Sequence, residues 1–169
     1  PSLFAYNDLC IISDHIINAL VGTISADMDR FVGWKSIDGD NLAKTNDLHI
    51  LIKGIFAKDR LPDIVKNFIV FENEKDSRNN VTKIIKKLAA YHQYFAVNKA
   101  AKRTVEAASP DGDKRAGVVW HTQGSGKSLS MVFYAGKVIQ VLDNPTLVLL
   151  TDRNDLDGQQ FGTFSKCSE

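Results

Sequence analysis

The sequence predicts an α/β fold, in which helices link a small β-hairpin near the start to a parallel sheet that opens in the second half. Three observations predict it. Two short β-rich runs lie at residues 9–13 and 19–24. Apolar residues follow the 3-and-4 spacing of helices between positions 48 and 69. From residue 115 onward the pattern becomes strand, loop, helix and strand, which is typical of a parallel sheet.

The charge is distributed unevenly along the chain. The 169 residues suffice for one domain or for parts of two, and their net charge is +1. Residues 1–80 hold nine Lys or Arg against twelve Asp or Glu, whereas residues 81–169 hold twelve against eight. The stretch 81–103 has no acidic residue and carries Lys83, Lys86, Lys87, Lys99, Lys102 and Arg103. Such a stretch either binds the phosphates of a nucleotide or of DNA, or forms a solvated helix face.

The cysteines and the hydropathy pattern indicate a cytoplasmic protein. Cys10 and Cys167 lie near opposite ends and form no metal-binding or redox spacing, so we expect a reducing compartment. No apolar run approaches the roughly 20 residues that span a bilayer, and no signal peptide is present, which predicts no membrane partner. The chain begins with Pro1 rather than Met, and we expect both ends to be internal positions of a longer protein.

Each part of the first half has a predicted structure. Residues 14–18 are expected to join the two β-rich runs into an antiparallel hairpin, and residues 25–44 to form a loop with Trp34 as a packing anchor.

Three helices are predicted next. The first is predicted from Leu48, Leu51, Ile52 and Ile55, and the second, after Pro62, from Ile64, Val65, Phe68 and Ile69. A third is predicted from Val81, capped by Asn79 or Asn80 and broken within residues 89–93. The domain boundary is placed before it, between residues 1–78 and 79–169.

A phosphate-binding motif lies between a predicted strand at residues 116–120 and a predicted helix that ends near residue 142. It reads Gly124-Ser125-Gly126-Lys127-Ser128, and a second β-rich run follows at residues 146–150. Backbone N–H groups can surround a phosphate only where bulky side chains are absent, and the helix adds its positive dipole end. Lys127 is expected to reach the β- and γ-phosphates of ATP and Ser128 to offer its hydroxyl to Mg²⁺. The cofactors predicted are therefore ATP and Mg²⁺.

One position departs from the usual P-loop pattern. In GxxxxGK[ST] the first Gly stands five residues before the second, where this sequence has His121. The core Gly-Ser-Gly-Lys has instead the form of helicase motif I, which argues against a small-molecule P-loop kinase. His121 is interpreted as a packing residue at a strand end rather than as a catalytic base.

The sequence resembles the motor and endonuclease (R) subunits of type I restriction enzymes. The similarity is most specific in residues 91–99, 117–128 and 149–157, and extends to residues 2–7 and 67–72. It implies a superfamily 2 motor that pumps double-stranded DNA with ATP, joined to a nuclease that precedes it. It also implies partner methyltransferase and specificity subunits. On this basis residues 1–78 are the end of the nuclease domain with a helical linker, and residues 79–169 begin the first RecA-like motor domain.

The resemblance also implies roles for residues outside the loop. Gln93, whose amide offers both a donor and an acceptor, is a candidate for the adenine-reading glutamine of helicases; the alternative is an ordinary surface glutamine. Thr151 and Arg153 are candidates for contacts to a DNA strand, and alternatively are cap and surface residues.

Several motor and nuclease components are not found in the sequence. It holds no Asp…Glu-x-Lys nuclease constellation, and neither an acidic Mg²⁺ motif nor an arginine finger is recognised. We therefore expect the isolated chain to be inactive. Two alternatives remain open: another superfamily 2 DNA helicase or translocase, and a non-catalytic nucleotide-binding or interaction module.

Overall fold

The structure is a computed structural model that describes residues 6–45, 47–75, 82–143, 145–150 and 167–168. Backbone contacts divide the chain into two compact units, one of residues 1–91 with 166–169 and one of residues 92–165. Within the described residues, no helix combines the length and the apolar character that crossing a bilayer requires.

The first unit opens with the predicted hairpin. Strands β1 (Cys10–Ser13) and β2 (Ala19–Gly22) pair antiparallel, with Cys10 opposite Gly22. The turn between them closes because the Asp14 carboxylate accepts the backbone N–H groups of residues 16, 17 and 18. A two-residue strand, β3 (Val32–Gly33), pairs with the other side of β2, so part of the predicted loop adds to the sheet. The hairpin prediction is confirmed.

Trp34 is the packing anchor of this unit, as the sequence predicts. Only 1% of its surface is exposed, and its indole ring lies against Gly54 of helix α1 (Leu48–Ile55). A Cβ atom on Gly54 would lie 2.2 Å from the Trp34 ring, so this contact requires glycine. The helix begins where the Asp47 carboxylate accepts the N–H of Ile50 at 2.7 Å, which is an N-cap bond.

The second predicted helix is also present but shorter than the apolar spacing indicates. Helix α2 (Arg60–Asn67) holds Pro62 in its first turn, and strand β4 (Ile69–Lys75) begins two residues after its end. Phe68, which is fully buried, forms the corner between the two elements. Ile69 therefore belongs to a strand and not to the helix.

The prediction of a third helix is wrong over its first seven described residues. These form strand β5 (Thr82–Leu88), which pairs antiparallel with β4 along its whole length. A short strand, β6 (Cys167–Ser168), pairs with the other edge of β4. Ile84, Ile85 and Leu88 fit a helical stripe as well as a strand, and β4 decides between the two because it supplies a complete ladder of hydrogen-bonding partners.

The basic stretch is consequently not one helix face. Lys86 pairs with Asp8 at 3.4 Å, and Lys87 pairs with Glu72, which lies diagonally across the β4–β5 ladder. These two cations are thus engaged by carboxylates of their own unit, and they contribute to its packing.

The second unit contains two long helices. Helix α3 (Tyr91–Ala108) begins within the predicted break, and helix α4 (Lys127–Val141) begins inside the phosphate-binding motif. The Thr104 and Tyr134 hydroxyls, one from each helix, hydrogen-bond at 2.7 Å. The described chain is therefore a mixed α/β structure with two small antiparallel sheets.

The two runs predicted to open a parallel sheet are not strands in the structure. Residues 116–120 and 145–150 have no regular secondary structure and no ladder partner among the described residues. Several of their apolar side chains are exposed, including Val118 at 94% and Leu150 at 89%. A run becomes a strand only where a neighbour satisfies its N–H and C=O groups, so the RecA-like sheet stays a prediction.

The predicted boundary after residue 78 and the observed division of contacts fall at different places. The compact units divide between residues 91 and 92, because the β4–β5 ladder holds residues 82–88 in the first unit. The assignment of the two parts to a nuclease and a motor stays a prediction.

Candidate phosphate-binding loop

The loop before α4 has the backbone that the motif requires. Gly124 and Gly126 have φ angles of +80° and +77°, in the left-handed region that glycine adopts without strain. The N–H of Ser125 reaches back to the carbonyl of Thr122 at 3.4 Å, which tightens the turn. Helix α4 begins at Lys127, directly after the second glycine. The sequence motif is therefore folded as a glycine loop that leads into a helix N-terminus.

The side chain of Lys127 folds back over this loop. Its Nζ donates to the carbonyl oxygens of His121 and Thr122 at 3.1 and 2.9 Å. An exposed ammonium held by two neutral carbonyls is available to an anion, because a phosphate oxygen is a stronger partner than a carbonyl. Ser128 lies in the first turn of α4, beside this cation in the chain.

Gln93 lies against the loop and is buried, so its interpretation as a surface glutamine is wrong. Only 4% of its surface is exposed, and its Nε2 donates to the carbonyl of Gly126 at 3.0 Å. A Cβ atom on Gly126 would lie 2.7 Å from that nitrogen, so the close approach needs a residue without a side chain. The structure thus places Gln93 against the candidate phosphate-binding loop.

His92 is a loop contact that sequence reasoning missed. Its Nε2 lies 3.1 Å from the carbonyl of Ser125, the residue next to the one that Gln93 contacts. The only signal in the sequence was its position beside Gln93 at the start of α3. The first turn of α3 therefore contacts two consecutive carbonyls of the loop.

His121 packs against His92 and is kept neutral. The two rings meet edge to face, with centroids 5.2 Å apart. Burial lowers the pKa of His121 below its ordinary value, and the nearby His92 and Lys127 lower it further. Within the described part of the chain, its buried Nδ1 has no hydrogen-bond partner. This arrangement agrees with its interpretation as a packing residue.

The residues present fit a nucleotide phosphate. An added Cβ at Gly124 would meet no heavy atom within 4 Å, so space is open beside the loop. Lys127 also lines a cavity of about 630 Å³ between α3, residues 116–121 and the start of α4. That volume lies within the usual range of small-molecule sites. Gln93, the candidate for adenine recognition, does not line this cavity. The two candidates for DNA contacts, Thr151 and Arg153, lie outside the described residues.

Comparison with known proteins gives a match to one family model and matches to several relatives. Residues 92–169 match the family model described as SWI2/SNF2 ATPase. The chain is 51% identical, over 96% of its length, to the type I restriction enzyme HindI endonuclease subunit of Haemophilus influenzae. It is 33% identical, over 98% of its length, to the provisionally named type I restriction enzyme MjaIXP endonuclease subunit of Methanocaldococcus jannaschii. No solved structure matches significantly.

The matches cover nearly all of this chain but a small part of the relatives. The chain spans 16% of the Haemophilus influenzae protein and 17% of the Methanocaldococcus jannaschii protein. A more distant relative, the SauCOLORF180P endonuclease subunit of Staphylococcus aureus, is 26% identical over 97% of the chain and 16% of that protein. By this similarity the chain belongs to the family of type I restriction enzyme endonuclease subunits, as a segment about one sixth of their length.

Proposed function

We propose that this chain is the part of a type I restriction endonuclease subunit that binds ATP and couples its hydrolysis to movement along double-stranded DNA. The observation that carries the proposal is the glycine loop with Lys127 at the start of α4, inside the segment that matches the SWI2/SNF2 ATPase model. The complete subunit cleaves unmodified DNA and works with methyltransferase and specificity subunits.

The loop residues bind the triphosphate and the metal ion. The N–H groups of residues 124–128 and the N-terminus of α4 supply partial positive charge to the phosphates. The Nζ of Lys127 exchanges its two carbonyl partners for β- and γ-phosphate oxygens, and the Ser128 hydroxyl is a ligand for Mg²⁺. A magnesium ion held by Ser128 would supply positive charge that offsets the negative charge developing on the phosphoryl oxygens.

The same proposal assigns the parts that flank the loop. In the complete subunit, residues 116–120 and 146–150 become strands of a RecA-like parallel sheet, and their exposed apolar side chains are the surface that such a sheet would bury. Residues 1–78 are the end of the nuclease domain with its linker, and residues 79–169 begin the first motor domain. Thr151 and Arg153 contact the phosphates of a DNA strand.

The first expected result concerns the complete subunit that contains this segment. ATP hydrolysis should be slow without DNA and should rise at least tenfold with double-stranded DNA, because a translocase turns over only as it moves. Steady-state phosphate release with and without DNA measures this. A rate that DNA does not change would favour a nucleotide-binding module.

Cleavage separates restriction from translocation alone. An unmodified circular DNA should be cut only when methyltransferase and specificity subunits are added with ATP. DNA-stimulated hydrolysis without any cleavage in the assembled complex would favour a superfamily 2 translocase that lacks restriction activity, which the SWI2/SNF2 match also fits.

A third expected result concerns Gln93. If its amide reads adenine, Gln93→Ala should reduce the preference for ATP over GTP by about 1–3 kcal/mol, the penalty for leaving a buried polar group unpaired. The measurement is kcat/KM for each nucleotide in the complete subunit. Gln140→Ala, which removes an exposed glutamine from α4, is the matched control.

The ratio of kcat/KM for ATP to kcat/KM for GTP distinguishes the possible roles of Gln93. Loss of the hydrogen bond to the Gly126 carbonyl would weaken ATP and GTP equally, since that bond supports the loop that both would share. An unchanged preference with equally weakened use of both nucleotides would contradict adenine recognition and leave Gln93 as a support of the loop.

A further inference from the structure

The start of α3 contacts the phosphate-binding loop through two adjacent side chains. His92 Nε2 lies 3.1 Å from the carbonyl of Ser125, and Gln93 Nε2 lies 3.0 Å from the carbonyl of Gly126. A carbonyl oxygen only accepts hydrogen bonds, so His92 carries a proton on Nε2 and donates it. We call these two contacts, from His92 and Gln93, the carbonyl clamp.

The clamp fixes the direction of the N–H groups that a phosphate needs. In a trans peptide the carbonyl of one residue and the N–H of the next lie in one plane and point in opposite directions. The described chain has no cis peptide bond. Holding the Ser125 carbonyl toward the first turn of α3 therefore turns the Gly126 N–H away from that turn. The Gly126 carbonyl is held twice, because it also accepts the backbone N–H of Ser130 at 3.0 Å in the first turn of α4.

Glycine cannot fix this direction by itself. Gly126 has a left-handed φ and glycine rotates freely between regions of the backbone map, so without the His92 bond the peptide between Ser125 and Gly126 would populate several orientations. The His92 ring is itself held, because it packs edge to face on His121 at 5.2 Å between centroids. The loop is thus restrained from outside by a side chain of a long helix.

We propose that His92 is a positioning residue for nucleotide binding, which orients the Gly126 N–H toward the phosphates by donating to the Ser125 carbonyl. This inference rests on the proposed function of the loop. In this proposal His92 acts only through the loop backbone, and the N–H that it orients holds the phosphates equally in the ground state and in the transition state. Such an interaction alters KM and leaves kcat nearly unchanged.

The test replaces the donor and keeps the ring. In the complete subunit, His92→Phe should preserve the edge-to-face contact with His121 but lose the bond to Ser125. We expect KM for ATP to rise about tenfold, the affinity for ADP to fall by a similar factor, and kcat to change less than twofold. His92→Gln restores an N–H donor at a similar distance from the backbone and should recover KM to within about threefold of the unchanged protein.

The control is His49→Phe, the same substitution at an exposed histidine of α1, which should leave KM unchanged. Equal KM values for His92→Phe and the unchanged protein would overturn the inference while leaving the proposed function intact. So would a His92→Gln variant as weak as His92→Phe, because the ring and not the donor would then matter. An unchanged protein that neither binds nor hydrolyses ATP would instead overturn the proposed function.

Discussion

Lys127→Ala in the assembled enzyme should abolish ATP hydrolysis, translocation and DNA cleavage together, with kcat for hydrolysis reduced by about 10³-fold. The substitution removes the only charge that the loop's own residues bring to the β- and γ-phosphates. Its largest effect falls on kcat because negative charge develops on the phosphoryl oxygens in the transition state. Hydrolysis and cleavage of an unmodified circular DNA should both be measured at saturating ATP, where weaker binding no longer limits either.

The fold should survive this change. Lys127 is exposed, and the two bonds that it loses are to loop carbonyls that water can also satisfy. Assembly with partner subunits and the thermal unfolding midpoint should therefore match those of Lys53→Ala, an exposed lysine of α1. Cleavage that persists after hydrolysis is lost would show that cutting does not depend on this motor, and the chain would be better described as an accessory ATPase.

The loop could be predicted from sequence because its chemistry is local. Two glycines, a lysine and a serine within five residues specify both the left-handed turn and the helix that follows it, and the structure has both. The hairpin and the first two helices are equally local, since the turn around Asp14 and the Asp47 cap lie within a few residues of the groups that they bond.

The strand β5 could not be predicted from local spacing. Its partner β4 decides the structure, and the residues before β5 were interpreted as a helix cap at Asn79 or Asn80 rather than as a turn. The position of Gln93 was equally hidden, because its partner Gly126 lies 33 residues away in the chain. The spacing of apolar residues shows only which side chains a local element can bury. The β4–β5 pairing and the Gln93–Gly126 contact depend instead on backbone groups from another part of the chain.

Gly126→Ala should lower the affinity for ATP at least tenfold, by two effects at one position. The left-handed backbone of Gly126 costs an alanine about 1–2 kcal/mol. The new Cβ would also lie 2.7 Å from Gln93 Nε2, so the glutamine side chain must move and its bond to the Gly126 carbonyl is lost. Equilibrium titration with ATP, together with the thermal unfolding midpoint, measures both effects in the complete subunit.

Gly117→Ala separates these effects. Gly117 also has a positive φ, of +109°, but an added Cβ there would meet no heavy atom within 4 Å. The Gly117→Ala substitution should therefore lower the unfolding midpoint with little effect on ATP affinity. The double variant Gly126→Ala/Gln93→Ala should lose less ATP affinity than the sum of the losses in the two single variants. The reason is that the Cβ atom added at position 126 then no longer collides with the glutamine side chain. Strictly additive effects would show that Gln93 and Gly126 act on the nucleotide independently, and that their close contact does not shape the loop.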